Sequence, residues 1–318
     1  MDNLPPSLLT SLQYVGLATL TWLTVTTASG IYDQILRPST LSRYHHHHHP
    51  DQQPPWALVT GATGGIGFGF AQELCHRGFH LVLHGRNRAK LLQRQAELRV
   101  DFPHVQTRIL VYDATDLASD IDALATELQD LHLTVLINNL GGDEDLDFPR
   151  TEENTFIRTQ RVITRNALFT THLTRILLSQ LKRNAPALIL NISSIAAYGF
   201  PYLTMYSASK GLINSFTASV SAELALDKTG VKMLGLIVGN VSSQGNQSPV
   251  SLFTPSSRQL ARSALGKTGC AGPMVWAYWP HSLQGLIFWV LPRWMIVRIS
   301  AAEMGKLKEM AHSKAKVN

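Results

Sequence analysis

Ala57-Leu58-Val59-Thr60-Gly61-Ala62-Thr63-Gly64-Gly65-Ile66-Gly67 decides the fold of this chain. A short apolar run enters a glycine-rich turn, and a helical pattern over 68–77 follows, ended by Gly78. Strand, glycine turn and helix in that order open a βαβ unit that binds a dinucleotide. Gly61 allows the tight turn, Gly65 lets the backbone approach a pyrophosphate, and Gly67 permits close packing of helix on strand. The free N–H groups and positive dipole of the helix start favour an anion. Thr60, Gly61, Thr63, Gly65, Ile66 and Gly67 are therefore the first candidate cofactor ligands.

Outward from this loop, apolar runs at 80–84, 107–112, 134–137, 187–192 and 231–238 read as further strands. Helical patterns over 89–100, 117–131, 151–181 and 206–227 alternate with them. That rhythm predicts an α/β fold, a Rossmann-like doubly wound parallel sheet in one domain over 56–275. The second strand ends His84-Gly85-Arg86-Asn87. An acidic residue there would hold a ribose 2′-hydroxyl, whereas Arg86 suits a 2′-phosphate, so NADP(H) is preferred to NAD(H).

Tyr206-Ser207-Ala208-Ser209-Lys210 places a Tyr and a Lys one helical turn apart. A protonated Lys at that distance favours the phenolate and is expected to lower the Tyr pKa from about 10. A Tyr tuned in this way exchanges a proton with a carbinol or carbonyl oxygen.

The glycine loop and the Tyr/Lys pair in one chain resemble the short-chain dehydrogenase/reductase family over about 55–242. Asp113, in Val111-Tyr112-Asp113, falls where that family contacts adenine, and Asn138-Asn139-Leu140-Gly141 is similar to its NNAG turn with Leu for Ala. The resemblance implies a tetrad of Asn166, Ser194, Tyr206 and Lys210, with Asn139, Gly141, Tyr206, Lys210, Val241 and Ser242 beside the cofactor. Two serines end the fifth strand. The family's Ser-to-Tyr interval points to Ser193 and its Asn-to-Ser interval to Ser194, and Ser194 is preferred. Val238-Gly239-Asn240 stands where the family tends to have Pro-Gly. The approach Pro201-Tyr202-Leu203-Thr204-Met205-Tyr206 resembles the microsomal very-long-chain 3-oxoacyl-CoA reductase and 17β-hydroxysteroid dehydrogenase type 3 and 12 branch.

Hydrophobic residues make up 45% of the 318 and charged residues only 16%. The shortage is local, since no Asp, Glu, Lys or Arg occurs over 3–32. Within it, 7–31 is long enough to cross a hydrocarbon core of about 30 Å. Threonine hydroxyls can bond back to helix carbonyls, which makes them tolerable in lipid. An uncleaved anchor over 1–35 is expected. A cleaved signal peptide is the rival, although a positive n-region is lacking, and a membrane-lying or buried helix is the third reading. Arg37 and Arg43 follow the segment and Asp2 precedes it, which predicts a cytosolic body.

Residues 36–55, with a His45–His49 run, read as a linker and not as a metal site. Two cysteines, Cys75 and Cys270, far apart, suit a reducing compartment. The net charge of +6 comes without a nucleic-acid motif and points to an anionic membrane face or an anionic substrate. Over 242–257 a polar loop is expected. Residues 276–318 combine an apolar stretch at 280–300 with a basic tail, and predict a membrane-associated or substrate-lining segment. Lys314 and Lys316 resemble a dilysine retrieval signal of the endoplasmic reticulum. The combined expectation is an NADPH-dependent ketoreductase of that membrane. Its substrate would be a 3-oxoacyl-CoA, or alternatively a steroid, triterpenoid or specialised-metabolite ketone. The rival of another class is an NADP-binding scaffold. Pairing into a homodimer is an expectation by family analogy.

Overall fold

Seven strands, all parallel, lie in the order β3-β2-β1-β4-β5-β6-β7 in the computed structural model, which describes residues 5–47, 54–116, 120–143 and 148–315. They are β1 (Trp56–Thr60), β2 (His80–Gly85), β3 (Thr107–Val111), β4 (Leu133–Asn138), β5 (Ala187–Ile192), β6 (Val231–Ile237) and β7 (Met274–Trp276). Every residue of β1, β2, β4 and β5 is buried, as expected for strands covered on both faces. The two-residue period then divides the core. Ala57 and Val59 face one apolar layer, Trp56 and Leu58 the other.

The first layer is closed by α2 (Gly65–His76), α3 (Arg88–Asp101) and α8 (Ser257–Gly266), through Phe70, Leu74, Leu91, Leu98, Leu260 and Leu265. The second is closed by α4 (Ala123–Leu128), α6 (Phe169–Arg183) and α7 (Thr204–Leu226). On α6, Phe169, Leu173, Leu177 and Leu181 recur every fourth residue and form one buried stripe. Each such leucine contributes about 1.5–3 kcal/mol relative to exposure. Helix starts are capped by side chains, with Asn87 Oδ1 accepting from Lys90 N–H and Thr155 Oγ1 from Arg158 N–H.

The helix predicted over 151–181 is three pieces. A 3₁₀ turn at Thr151–Glu153 precedes α5 (Phe156–Ile163), and a π-turn at Thr164–Leu168 precedes α6. The helix predicted over 117–131 shrinks to α4, and 117–119 lie outside the described residues. Neither α8 nor β7 was foreseen. In the predicted linker, Leu41 and Tyr44 are buried, and Thr134 Oγ1 donates to the Tyr44 carbonyl at 2.8 Å. His48 and His49 lie outside the described residues.

The described residues up to Pro38 and those from Ser39 onward form two compact units. The first consists of α1 (Pro6–Ile31) and a π-turn at Tyr32–Leu36. Threonines along it bond back to the helix, for example Thr19 Oγ1 to the Val15 carbonyl and Thr24 Oγ1 to the Leu20 carbonyl, both at 2.8 Å. Among the described residues it is the one helix long and apolar enough to cross a membrane, with a mean hydropathy of 1.3.

Helix α8 is fastened to α2 by a closely shared carboxylate. The Cβ of any residue replacing Gly69 would sit 2.6 Å from the Ser257 carbonyl oxygen, so the backbones meet there. Beside it Glu73 has no solvent exposure and receives Arg77 Nη1 at 3.1 Å, Arg258 Nε at 2.8 Å and Arg262 Nη2 at 3.2 Å. Burial pushes the Glu73 pKa up, but the three guanidinium groups outweigh it and hold it at about 2. A folded value below the ordinary 4.5 means that the contribution to stability is complete above pH 4.5 and is lost as pH falls toward 2. Glu73→Gln should therefore cost on the order of 2 kcal/mol at pH 7, less than the about 3–5 of a fully buried pair because Arg258 and Arg262 reach water. Thermal unfolding at pH 7 checks the cost, and the gap from wild type should close on acidification below pH 4.5.

Candidate active site

Thr60, at the end of β1, organises the loops above the sheet. Its buried hydroxyl donates to the Ile137 carbonyl at 3.2 Å and accepts the N–H groups of Asn139 and Leu140, both at 2.9 Å. Asn139 Nδ2 returns a bond to the Thr60 carbonyl at 3.0 Å. The chain then turns through Gly61 at φ +69° and enters α2 through Gly65 at φ +53°, both in the left-handed region that favours glycine. A Cβ at position 67 would meet the Gly61 carbonyl at 2.2 Å, so the loop can close over the helix start only with glycine there. This cradle, with the start of the twelve-residue α2 beneath it, fits a diphosphate.

The cradle opens into a cavity of about 760 Å³. Of the predicted ligands, Gly61, Thr63, Gly65, Ile66, Asn139, Gly141, Val241, Ser194, Tyr206 and Lys210 line it. An adjoining cavity of about 220 Å³ shares Gly61, Thr63 and Gly141 with the first and is walled by Arg86 and Asp113. Burial pushes the Asp113 carboxyl up, but the Thr115 N–H at 2.9 Å, the Thr115 hydroxyl at 2.8 Å and the charges of Arg86 and Arg165 hold it below the usual range. Thr60, Gly67 and Asn166 stand behind the walls. Ser242 is turned away, its N–H donating to the Pro255 carbonyl at 2.9 Å and its carbonyl accepting from Ser257 Oγ at 3.1 Å, while Val241 and Ser243 line the cavity.

The two serines that end β5 have different partners. Ser193 Oγ donates to Asn214 Oδ1 on α7, whereas Ser194 Oγ accepts from Ala196 N–H at 3.1 Å and stands beside the Tyr206 phenol. Lys210 Nζ donates to the Ile192 carbonyl at 2.8 Å and lies 5.6 Å from the centre of the Tyr206 ring. Asn166 sits in the π-turn before α6. Its Oδ1 accepts Gly142 N–H at 2.8 Å, and its Nδ2 donates to the Gly142 and Val162 carbonyls, both at 2.9 Å. A Cβ at position 141 would lie 2.7 Å from Asn166 Oδ1 and 3.1 Å from Lys210 Nζ, which gives the measure of how closely turn, Asn and Lys converge.

The expected lowering of the Tyr206 pKa is not what this geometry produces. Burial pushes the phenol above its ordinary 10.0, and the Ser194 side chain offsets only part of that. The same burial pushes the Lys210 ammonium down to about 8. Desolvation disfavours both charged forms, at the buried Lys210 and at the half-buried Tyr206 on the cavity wall, and it outweighs the attraction that the sequence spacing suggested.

Sequence reasoning missed His281. It lies at the start of α9 (Trp279–Val290), fully buried, with Nδ1 accepting Gly239 N–H at 3.1 Å and Nε2 facing the Asn240 carbonyl at 3.1 Å. That ring fixes the loop after β6, the place where the expected proline is lacking. Gln244, on the same loop, lies over the phosphate cradle, since a Cβ on Gly64 would be 2.2 Å from its Oε1. Among the described residues no group of three or more His, Cys, Asp or Glu is arranged to hold a metal ion.

Residues 55–251 match the short chain dehydrogenase family. The chain belongs to that family. Among its relatives, a very-long-chain 3-oxoacyl-CoA reductase of Neurospora crassa is 33% identical over 247 residues, covering 74% of this chain and 72% of that one. The protein of the same name from Mus musculus is 31% identical over 269 residues, covering 83% and 84%. Among solved structures, a short-chain dehydrogenase from Sphingobium yanoikuyae in complex with NADPH superposes with a TM-score of 0.62 at 23% identity, over 75% of this chain and 97% of that one. A 7β-hydroxysteroid dehydrogenase reaches 0.69 at 18%, over 79% and 98%. Both share the short-chain dehydrogenase fold.

Removing the His281 ring takes the hydrogen bond of the half-buried Gly239 N–H, at about 0.5–1.5 kcal/mol. His281→Ala should lower the melting temperature and speed hydrogen exchange at the Gly239 amide, and His281→Gln should recover part of the loss. Unchanged exchange at Gly239 would show that the loop is held by other contacts.

Proposed function

We propose that this short-chain dehydrogenase is a membrane-anchored, NADPH-dependent reductase of a lipophilic ketone, with a 3-oxoacyl-CoA thioester as substrate. One observation carries the reading. Tyr206, flanked by Ser194 and backed by Lys210, faces the cavity that also holds the glycine cradle. The relatives' names support the substrate class, and the membrane-length α1 supports the anchor. The basic Arg37 and Arg43 after α1 support a cytosolic body on the endoplasmic reticulum. The retrieval signal read at Lys314 and Lys316 extends beyond the described residues, which end at 315.

The residues present fit the dinucleotide. Gly61, Gly65 and the start of α2 would hold its diphosphate, Asp113 its adenine, Arg86 its 2′-phosphate, and Lys210 the ribose next to the nicotinamide. When bound, the reduced nicotinamide supplies a hydride to the substrate carbon. Tyr206 gives its phenolic proton to the carbonyl oxygen as negative charge grows there. Ser194 shares a hydrogen bond with the same oxygen and stabilises that charge in a medium where such a bond is strong. Lys210 stabilises the phenolate that Tyr206 leaves behind. Asn166 positions rather than reacts, since all its amide bonds hold the Gly142 turn and helix α5.

Two measurements test the reading. Tyr206→Phe should lower NADPH-dependent reduction of a 3-oxoacyl-CoA by about a thousandfold or more while dinucleotide binding, read by coenzyme fluorescence, survives. Turnover close to wild type would sink the assignment. Arg86→Ala removes a charge-assisted phosphate contact of about 1.5–3 kcal/mol, so KM for NADPH should rise about 10–100-fold in steady-state kinetics. KM for NADH, which has no 2′-phosphate, should barely move.

A further inference from the structure

Helix α9 is apolar on both sides. Its inner face is fully used. His281 holds the loop after β6, a Cβ on Gly285 would lie 2.0 Å from the Trp276 ring, and Phe288 stacks on Tyr198 at 4.7 Å and on Phe200 at 6.0 Å. Its outer face carries Trp279, Leu283, Leu286, Ile287 and Val290, all exposed, Val290 at 75%. These positions follow one helical stripe, and α9 contains no Asp, Glu, Lys or Arg at all. A helix at a protein–water boundary normally turns a charged face outward, and a contiguous apolar patch of this kind marks a contact surface.

The occupant is indicated by what borders the stripe. Helix α10 (Arg293–Ala315) begins with Trp294, 61% exposed, with the Arg298 guanidinium 5.7 Å from its ring centre. Before Glu303 that helix carries Arg293 and Arg298 and no acidic residue. Tryptophan beside arginine at the edge of an uncharged apolar stripe is the composition of a lipid–water boundary, and the excess of positive charge suits anionic headgroups.

We infer that the outer face of α9 and the first turn of α10 rest in the headgroup layer of an anionic lipid bilayer. This rests on the anchored reading only in that α1 would keep the body near the lipid. The consequence for the site is direct. The inner side of the same two helices forms part of the catalytic surroundings, with Leu307 of α10 on the wall of the larger cavity and Lys308 Nζ 5.1 Å from the ring centre of Tyr202, four residues before Tyr206. The face that meets lipid and the wall that meets substrate are two sides of one helix pair.

The test uses the full chain reconstituted into phosphatidylcholine vesicles containing phosphatidylserine, and needs no turnover. Both natural cysteines are buried, so a spin label reports an introduced one. Leu286→Cys and Val290→Cys should be relaxed strongly by oxygen and weakly by a water-soluble nickel chelate. Leu226→Cys, 81% exposed at the end of α7, should show the reverse. Leu283→Cys replaces either variant should circular dichroism show that it fails to fold. Nickel accessibility at 286 and 290 overturns the docking, and exclusion of both reagents overturns it in favour of a second protein copy. Leu20→Cys on α1 reads the anchor separately, so an oxygen-rich position 20 with a nickel-accessible 286 sinks this inference and leaves the anchor intact.

Discussion

The site depends first on Thr60. It sits at the one place where the sheet changes its direction of growth, between β1 and β4, and its buried hydroxyl binds the two strand ends to each other. A parallel sheet opens a crevice at such a point, because the connections from the two strands run to opposite faces. Without the hydroxyl the crevice would have two independent lips. With it, the glycine cradle on one lip and the Asn139–Gly142 turn on the other keep a fixed separation. Asn166 bonds to the second lip and Lys210 packs close beside it, so the catalytic side of the cavity is referenced to the phosphate side.

Fixed lips also explain why Tyr206 and Lys210 disfavour their charges together. Lys210 is buried among the turn, β5 and α7, Tyr206 is half-buried on the cavity wall, and desolvation shifts the two in opposite directions. A phenol that keeps its proton in the free enzyme suits a reductase, which must give a proton to a developing alkoxide. Ser194 beside the phenol offsets part of the desolvation and marks where the charge will appear.

The parts of this arrangement that were legible in the sequence are those fixed by local chemistry. The glycine loop, the two-residue alternation along buried strands and the one-turn Tyr–Lys spacing each carry their own signature. The residues that resisted reading depend on tertiary partners. Asn166 is placed by a π-turn, which no spacing announces. His281 lies in an apolar stretch, and its role exists only because Gly239 folds back onto it. Ser242 was read one position off the wall, since the loop after β6 pairs with 255–257 and shows Val241 and Ser243 to the cavity. Helix α8 is a different case. Ser256 and Gln259 form a reciprocal cap, a pattern visible in Ser256-Ser257-Arg258-Gln259 that the polar surroundings obscured.

Helix α9 joins two loops that chemistry must keep in register. Through His281 it holds the loop after β6, which closes over the phosphate cradle. Through Phe288 it holds the 195–202 segment that separates Ser194 from Tyr206. Neither loop has secondary structure long enough to hold itself, and the proline that would stiffen the first is absent. A single rigid helix in contact with both therefore sets their relative position, and anything that displaces α9 moves the cofactor side and the proton-donor side together. A partner on its outer face would act on the site by that route, through packing and with no contact to substrate.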